Sequence, residues 1–239
     1  ELLFMPIHFG TDGWRAVMSD TFTFHNLRMV TQAIADATAG GFWPAEYHGH
    51  PVDARRMVVG FDTRFLSDRF AADVARVLAA NDFIVHLATA DAPTPAISYA
   101  VSNLNAIGGI MITASHNAPR YNGVKLKAAY GGSASPEQCR RVEVYLNDNE
   151  SRARGPNVMD AEEARRLGRL DRVDLRLVPA RDIARDDHLL FSETPSRFVV
   201  TVSPGNRAAF EEALAGNPCA CIGAGCRQTE ISATNGGCQ

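Results

Sequence analysis

Ile107-Gly108-Gly109-Ile110-Met111-Ile112-Thr113-Ala114-Ser115-His116-Asn117 is the stretch that decides the fold. Its apolar half is the unbroken run of a strand buried on both faces, as in parallel sheets. Its polar half starts where that strand ends and the chain turns, and in open α/β sheets the carboxyl ends of the strands are where ligands bind. With the following Tyr121-Asn122-Gly123-Val124-Lys125-Leu126-Lys127, a hydroxyl, an imidazole, two carboxamides and two ammonium groups fall within fifteen residues. A serine at such a turn, with cations near enough to hold a phosphate and no long apolar side chain beside it, suggests a hydroxyl that carries or receives a phosphoryl group. A polar loop whose Ser and Asn side chains cap turns is the plainer alternative.

Strand-like and helix-like segments alternate around this run from the start of the chain to about residue 149, the pattern of an α/β unit with a largely parallel sheet. The segment from Phe24 carries Leu27, Val30, Ile34 and Ala37 at helical spacing, with Gly40-Gly41 as its stop. Met57-Val58-Val59-Gly60 reads as a short buried strand, and residues 83–87 as the next one. Ser67 reads as the N-cap of a helix with Phe70, Val74, Val77 and Leu78 on one face. Thr94-Pro95 reads as a cap followed by proline at the first helical position, leading to Ile97, Ala100 and Val101. Ser135-Pro136-Glu137-Gln138 has the form of a capping box ahead of Val142, Tyr145 and Leu146. Beyond it the alternation stops. Residues 151–174 read as a linker with a short charged helix ending at Gly168, residues 175–223 as a small α+β fragment, and residues 224–239 as a disordered tail.

Composition sets outer limits. A chain of 239 residues that is 46% apolar can bury a full core. Its 24 basic and 27 acidic residues are mixed along the sequence for a net charge of -3, which argues against nucleic acid or an anionic membrane as the main partner. No apolar run approaches the roughly 18 residues of a membrane span, and residues 1–4 lack the features of a signal peptide. A cytoplasmic location is expected. Cys139, Cys219, Cys221, Cys226 and Cys238 match no familiar zinc spacing, and reduced thiols are their expected state.

Three further segments extend the phosphate constellation. Gly10-Thr11-Asp12-Gly13-Trp14-Arg15 is a glycine-rich turn offering N–H groups and an arginine to an oxyanion. Gly60-Phe61-Asp62-Thr63-Arg64 puts another arginine just past a strand, and Ala92-Pro93-Thr94-Pro95 is a rigid turn after the next. Taken singly these segments read as a common turn, a surface ion pair and a plain helix start.

Taken in order with the serine loop, they closely resemble the first domain of the α-D-phosphohexomutases, the phosphoglucomutase and phosphomannomutase enzymes, over residues 9–174. The resemblance implies a three-layer α/β/α domain with a mainly parallel mixed sheet in residues 1–150. It implies intramolecular phosphotransfer between hexose 1- and 6-phosphates, with a hexose bisphosphate as intermediate and Ser115 as the phosphoserine. Lys125 then matches the general acid/base, Arg15 the arginine near the phosphoserine, and His116 and Asn117 the residues that shape the loop and bond the phosphate or substrate. Thr113, Asn122, Gly123 and Arg64 join Asn117 as expected phosphate or substrate contacts. Mg²⁺ is the implied cofactor, bound through the phosphate on Ser115 and an aspartate-rich loop of another domain. For Lys127 a solvated or packing role is expected. Ala118 stands where the family often has proline, a change that loosens the loop without removing a functional group.

No Asp-x-Asp-x-Asp metal loop, Gly-Glu-x-Ser-Gly sugar loop or late phosphate-binding loop occurs in the sequence. The family spreads its site over four domains, so this chain is expected to be an incomplete first-domain fragment, inactive by itself. The alternatives are a catalytically silent phosphate-binding or interaction module, or a fragment of a purine-biosynthesis synthetase. The last rests on Leu190-Phe191-Ser192-Glu193-Thr194-Pro195-Ser196-Arg197-Phe198, which with residues 173–223 resembles the C-terminal part of phosphoribosylformylglycinamidine synthase. Two unrelated segments meeting near Asp174 imply a fusion or a rearranged gene.

Overall fold

The alternation read in the sequence is realised in a computed structural model that describes residues 7–10, 13–42, 46–47, 50–174 and 204–213. Thr11 and Asp12 of the glycine-rich turn, most of the expected α+β fragment and the expected tail lie outside the described residues. The chain divides into two units, Glu1–Pro195 and Ser196–Gln239. In order, the first contains β1 (Trp14–Val17), α1 (Phe24–Ala37), a ribbon of β2 (Glu46–Tyr47) and β3 (His50–Pro51), then β4 (Asp53–Phe61), α2 (Ser67–Ala80) and β5 (Ile84–Ala88). It continues with α3 (Thr94–Asn103), β6 (Ala106–Ile112), β7 (Tyr121–Ala128), α4 (Pro136–Ser151), α5 (Ala161–Arg166) and β8 (Leu170–Val173). In the second unit the described residues form a single 3-10 turn, Pro204–Asn206, and α6 (Arg207–Ala213), within the expected α+β fragment.

Six strands form one mixed, mostly parallel sheet in the order β1-β7-β6-β4-β5-β8. β4 pairs in parallel with β5 and β6, and β8 with β5, while β7 runs antiparallel to both β6 and β1. Every residue of β6 is buried, as its unbroken apolar run requires. Ile107, Ile110, Met111 and Ile112 are at most 2% exposed, and side chains of this size each contribute about 1.5–3 kcal/mol on full burial. Right-handed crossovers from β4 through α2 to β5, and from β5 back through α3 to β6, put α2 and α3 on opposite faces. Helices α1 and α4 complete the three layers, with Leu27, Val30, Ile34 and Ala37 of α1 and Val142 and Leu146 of α4 turned into the core as their spacing predicts.

Local chemistry fixes the helix starts. Thr23 caps α1 by accepting the Asn26 N–H, and Ser135 and Gln138 form the reciprocal bonds of a full capping box on α4. Asp160 caps α5 through the amides of Glu162 and Glu163, and those bonds hold its carboxyl below the usual range. Two expected caps move by one residue. Thr94 is the first helical residue of α3, behind Pro93 as the cap. Ser67 is the first residue of α2, not its cap, because Leu66 takes the cap position at φ 60 and the serine hydroxyl is drawn into bonds with the sheet edge.

Residues 151–174 contain the expected short helix α5, but they do more than link. β8 pairs in register with β5, from Val85 opposite Leu170 to Ala88 opposite Val173. It forms an edge of the main sheet.

Candidate active site

Ser115 lies beyond the carboxyl end of β6, exposed, on a tight turn closed by a bond from the Asn117 N–H to the Ala114 carbonyl (3.0 Å). Its backbone sits at φ 55, a left-handed conformation that a residue other than glycine adopts only when its surroundings impose it. Thr113 helps impose it. Its Oγ1 accepts the Ser115 N–H at 3.0 Å, and the threonine itself is only 4% exposed. The Ser115 hydroxyl stands 3.4 Å from His116 Nδ1, a long contact between two exposed groups.

Two strands of the sheet, β7 after the loop and β1 from the start of the chain, carry the cations. Residues 121–127 are not loop but most of β7, which returns antiparallel to β6 with Ile112 opposite Val124 and Met111 opposite Lys125. β1 pairs on the far side of β7 with Arg15 opposite Gly123, and the Thr113 N–H donates to the Gly123 carbonyl at 3.0 Å. Thr113, Gly123 and Arg15 therefore form one row across three strands, with Lys125 two residues along β7. Alternation puts Arg15 and Lys125 on the same face of the sheet. Lys127, also on β7, is buried at 7% exposure, so of its two expected roles the packing one applies.

Two glycines make this row possible. A methyl group on Gly123 would lie 2.7 Å from the carbonyl oxygens of both Thr113 and Trp14 and 2.9 Å from Arg15 Cγ. Gly13 has φ 102, and a methyl group there would overlap the Val124 carbonyl.

Three of the residues expected to touch ligand have close partners within the protein. Asn122 is fully buried; its Nδ2 donates to Ser67 Oγ at 2.9 Å and its Oδ1 accepts the Gly123 N–H at 2.8 Å. An amide enclosed and bonded in this way is part of the scaffold. Gly123 is filled over by Arg15. Arg64 faces the loop: Nη1 donates to the carbonyls of Ala118 and Tyr121 at 3.0 Å each, and Nη2 to those of Ser115 at 2.9 Å and Asn117 at 2.6 Å. Its Nε lies 3.4 Å from Asp62 Oδ2. The guanidinium has five N–H groups, and these contacts engage every nitrogen. Asp62 was legible only as a surface partner for Arg64. It also accepts the hydroxyl of Ser67 at 2.8 Å and the N–H of Arg64 at 3.0 Å, joining β4 to α2.

Elsewhere, a shallow depression of about 380 Å³ between α1 and α2 is lined by Arg28, Arg69, Asp73 and Arg76 and contains none of these residues. Arg28 and Arg76 both bond the buried Asp73 there, and that contact raises the Arg28 pKa further above its ordinary value. Among the described residues no group of three His, Cys, Asp or Glu side chains is placed to hold a metal ion. These residues do not by themselves fit the implied Mg²⁺, to which they would offer only phosphate oxygens on Ser115. No described helix is long and apolar enough to cross a membrane.

A three-layer α/β/α domain that presents a serine on a turn past a central strand, with a lysine and an arginine on one face of the adjoining antiparallel strands, is the class that fold and site define. The chain belongs to the phosphoglucomutase/phosphomannomutase family, its residues 6–153 matching the alpha/beta/alpha domain I. It is 37% identical over 145 residues to a phosphoglucomutase of Staphylococcus saprophyticus, covering 61% of this chain and 25% of that protein. With a phosphoglucomutase of Staphylococcus epidermidis it shares 42% over 98 residues, 41% of this chain and 17% of the relative. A crystal structure assigned as a phosphomannomutase of Thermus thermophilus superposes with a TM-score of 0.59 at 34% identity, over 72% of this chain and 34% of that one. The open form of Paramecium parafusin, at 23% identity and a TM-score of 0.52, shares the fold. The chain thus spans a quarter or less of these two staphylococcal relatives. The synthetase resemblance gains no support from these matches, and most of it lies outside the described residues.

Proposed function

We propose that this chain supplies the phosphoserine domain of a phosphohexomutase, with Ser115 taking a phosphoryl group from a hexose bisphosphate and returning it to a hexose phosphate. The observation that carries the reading is the exposed Ser115 hydroxyl, held at φ 55 on the turn past β6. The Ser115 Oγ–phosphorus bond forms as the phosphorus–oxygen bond to the sugar breaks, and the serine proton ends on the departing sugar oxygen. Lys125 is the candidate relay for that proton, and Arg15 the candidate partner for charge on the phosphoryl oxygens. His116 and Asn117 border the hydroxyl and complete the proposed site. Which hexose is used belongs to loops that this sequence does not contain.

Intact-mass measurement after incubation with glucose 1,6-bisphosphate tests the reading. One phosphate increment, mapped to Ser115 and lost in Ser115→Ala, supports it. An unmodified protein, or modification that persists in Ser115→Ala, overturns it in favour of a silent phosphate-binding or interaction module.

A further inference from the structure

Arg64 reaches the serine loop from fifty residues away in sequence and bonds it at the carbonyls of Ser115, Asn117, Ala118 and Tyr121. Those four carbonyls belong to the loop 113–120 and the first residue of β7. The loop's ends are held by long-range bonds, Thr113 N–H to the Gly123 carbonyl and Met18 N–H to the Arg120 carbonyl, but the backbone bonds of residues 114–119 are short-range turns: Asn117 N–H to the Ala114 carbonyl and Tyr121 N–H to the Ala118 carbonyl. Local turns of this kind do not fix a loop against its scaffold. Arg64 does, because its own root is rigid. Its N–H bonds Asp62 Oδ1 at 3.0 Å, and the Asp62 N–H bonds the Ile112 carbonyl at the end of β6 at 3.1 Å. From Asp62 the chain of bonds runs on through Ser67 Oγ to Asn122 on β7. Arg64 thus braces both ends of the loop against the buried ends of β4, β6 and β7. Its side chain is 14% exposed.

We infer that Arg64 is a positioning residue for phosphoryl transfer: it fastens the 115–121 loop so that Ser115 keeps its left-handed backbone and a fixed hydroxyl. This rests on the reading of Ser115 as the phosphoryl acceptor. Two physical effects follow. An attacking oxygen displaced by about 1 Å loses roughly 100-fold in rate. Carbonyls turned toward the guanidinium also keep the negative ends of their dipoles off a phosphate on the serine.

The test follows Ser115 phosphorylation by glucose 1,6-bisphosphate in wild type, Arg64→Ala and Arg64→Lys over a range of donor concentrations, alongside amide hydrogen exchange of the same proteins without donor. In both variants the saturating rate should fall roughly 100-fold, with half-saturating donor within about threefold of wild type. Lysine should not rescue, because one ammonium cannot span four carbonyls as the guanidinium fork does. Exchange of the 115–121 amides should rise at least about tenfold while β4 and β6 keep their protection. A half-saturating concentration raised tenfold with the rate retained would make Arg64 a phosphate ligand. A wild-type rate in Arg64→Lys, or unchanged exchange of the loop in either folded variant, equally overturns the inference. Were wild type never phosphorylated, the proposed function would fail by itself, and the exchange arm would still decide whether Arg64 fastens the loop.

Discussion

Replacing Gly123 by alanine separates two physical effects of opposite sign. By strand propensity alone the change should help, since glycine inside a strand costs about 0.5–1 kcal/mol relative to alanine. The packing around Gly123 says otherwise. The new methyl carbon would sit 2.7 Å from two carbonyl oxygens, Thr113 on the β6 side and Trp14 on the β1 side, and 2.9 Å from Arg15 Cγ. Arginine can swing its side chain, but the two oxygens cannot retreat independently, because β7 is hydrogen-bonded on both edges at this point. Relief requires spreading three strands by several tenths of an ångström, an overpacking strain of about 1–3 kcal/mol. With clashes on both sides the upper half of that range applies; less the propensity gain it leaves a net loss of about 1–2.5 kcal/mol, which in a domain of this size should lower Tm by roughly 2–10 °C. Thermal and urea denaturation followed by circular dichroism measure it, with an unchanged m-value showing that the unfolded state is not the cause. A Tm equal to or above wild type would refute the reasoning. It would also restore the simpler view of Gly123 as open backbone kept for a ligand.

Ser135→Ala removes one half of the α4 capping box and should cost about 1 kcal/mol, read as a lower urea midpoint at constant m; an unchanged midpoint would mean that Pro136 suffices to start the helix. For His86, burial first and Arg56 second push the imidazole below its ordinary value of 6.5, against the opposing pull of Asp171 and Asp53. The unfolded chain therefore binds this proton more readily than the folded one, so stability should fall as pH drops below 6.5 and level off beneath the lowered folded value. In His86→Gln the loss of Tm between about pH 7.5 and about pH 5.5 should be smaller than in wild type, and an equal loss would show that other groups cause the acid sensitivity.

What could be read from the sequence, and what could not, divides by where each residue finds its partner. β6 announced itself because both faces are apolar, and α4 because its capping box is written in four consecutive residues. β7 carries a period-2 pattern, with Asn122, Val124 and Leu126 all buried on one side, but an asparagine on the inward face hides it. Asn122 is inward only because Ser67, fifty-five residues earlier, completes its hydrogen bonds. β8 was hidden differently. Its two middle residues, Asp171 and Arg172, are exposed, as edge strands often arrange, and only pairing with β5 makes four such residues a strand. The contacts of Arg64 were hidden for a related reason. Sequence can show an arginine at a ligand edge but not that carbonyls of another loop already surround it.

The same division explains why Ser115 and Lys125 lie so close together in sequence. In a purely parallel sheet, the strand beside β6 would begin at the opposite end, and a crossover helix would separate Ser115 from any residue on it. Here the chain leaves β6, turns through Ser115 and returns at once as β7, so Lys125 comes level with Met111 only ten residues after the serine. Antiparallel β1 then lays Arg15 along β7, one row beyond the end of β6. The parallel strands thus form the buried frame, while the antiparallel pair brings charge to the carboxyl end without a helix to cover it. Such a hairpin gains proximity at the cost of a loop whose middle, residues 114–119, has only short-range backbone bonds. A long-range fastening is the natural remedy, and among the described residues the four-carbonyl grip of Arg64 has the geometry to provide it.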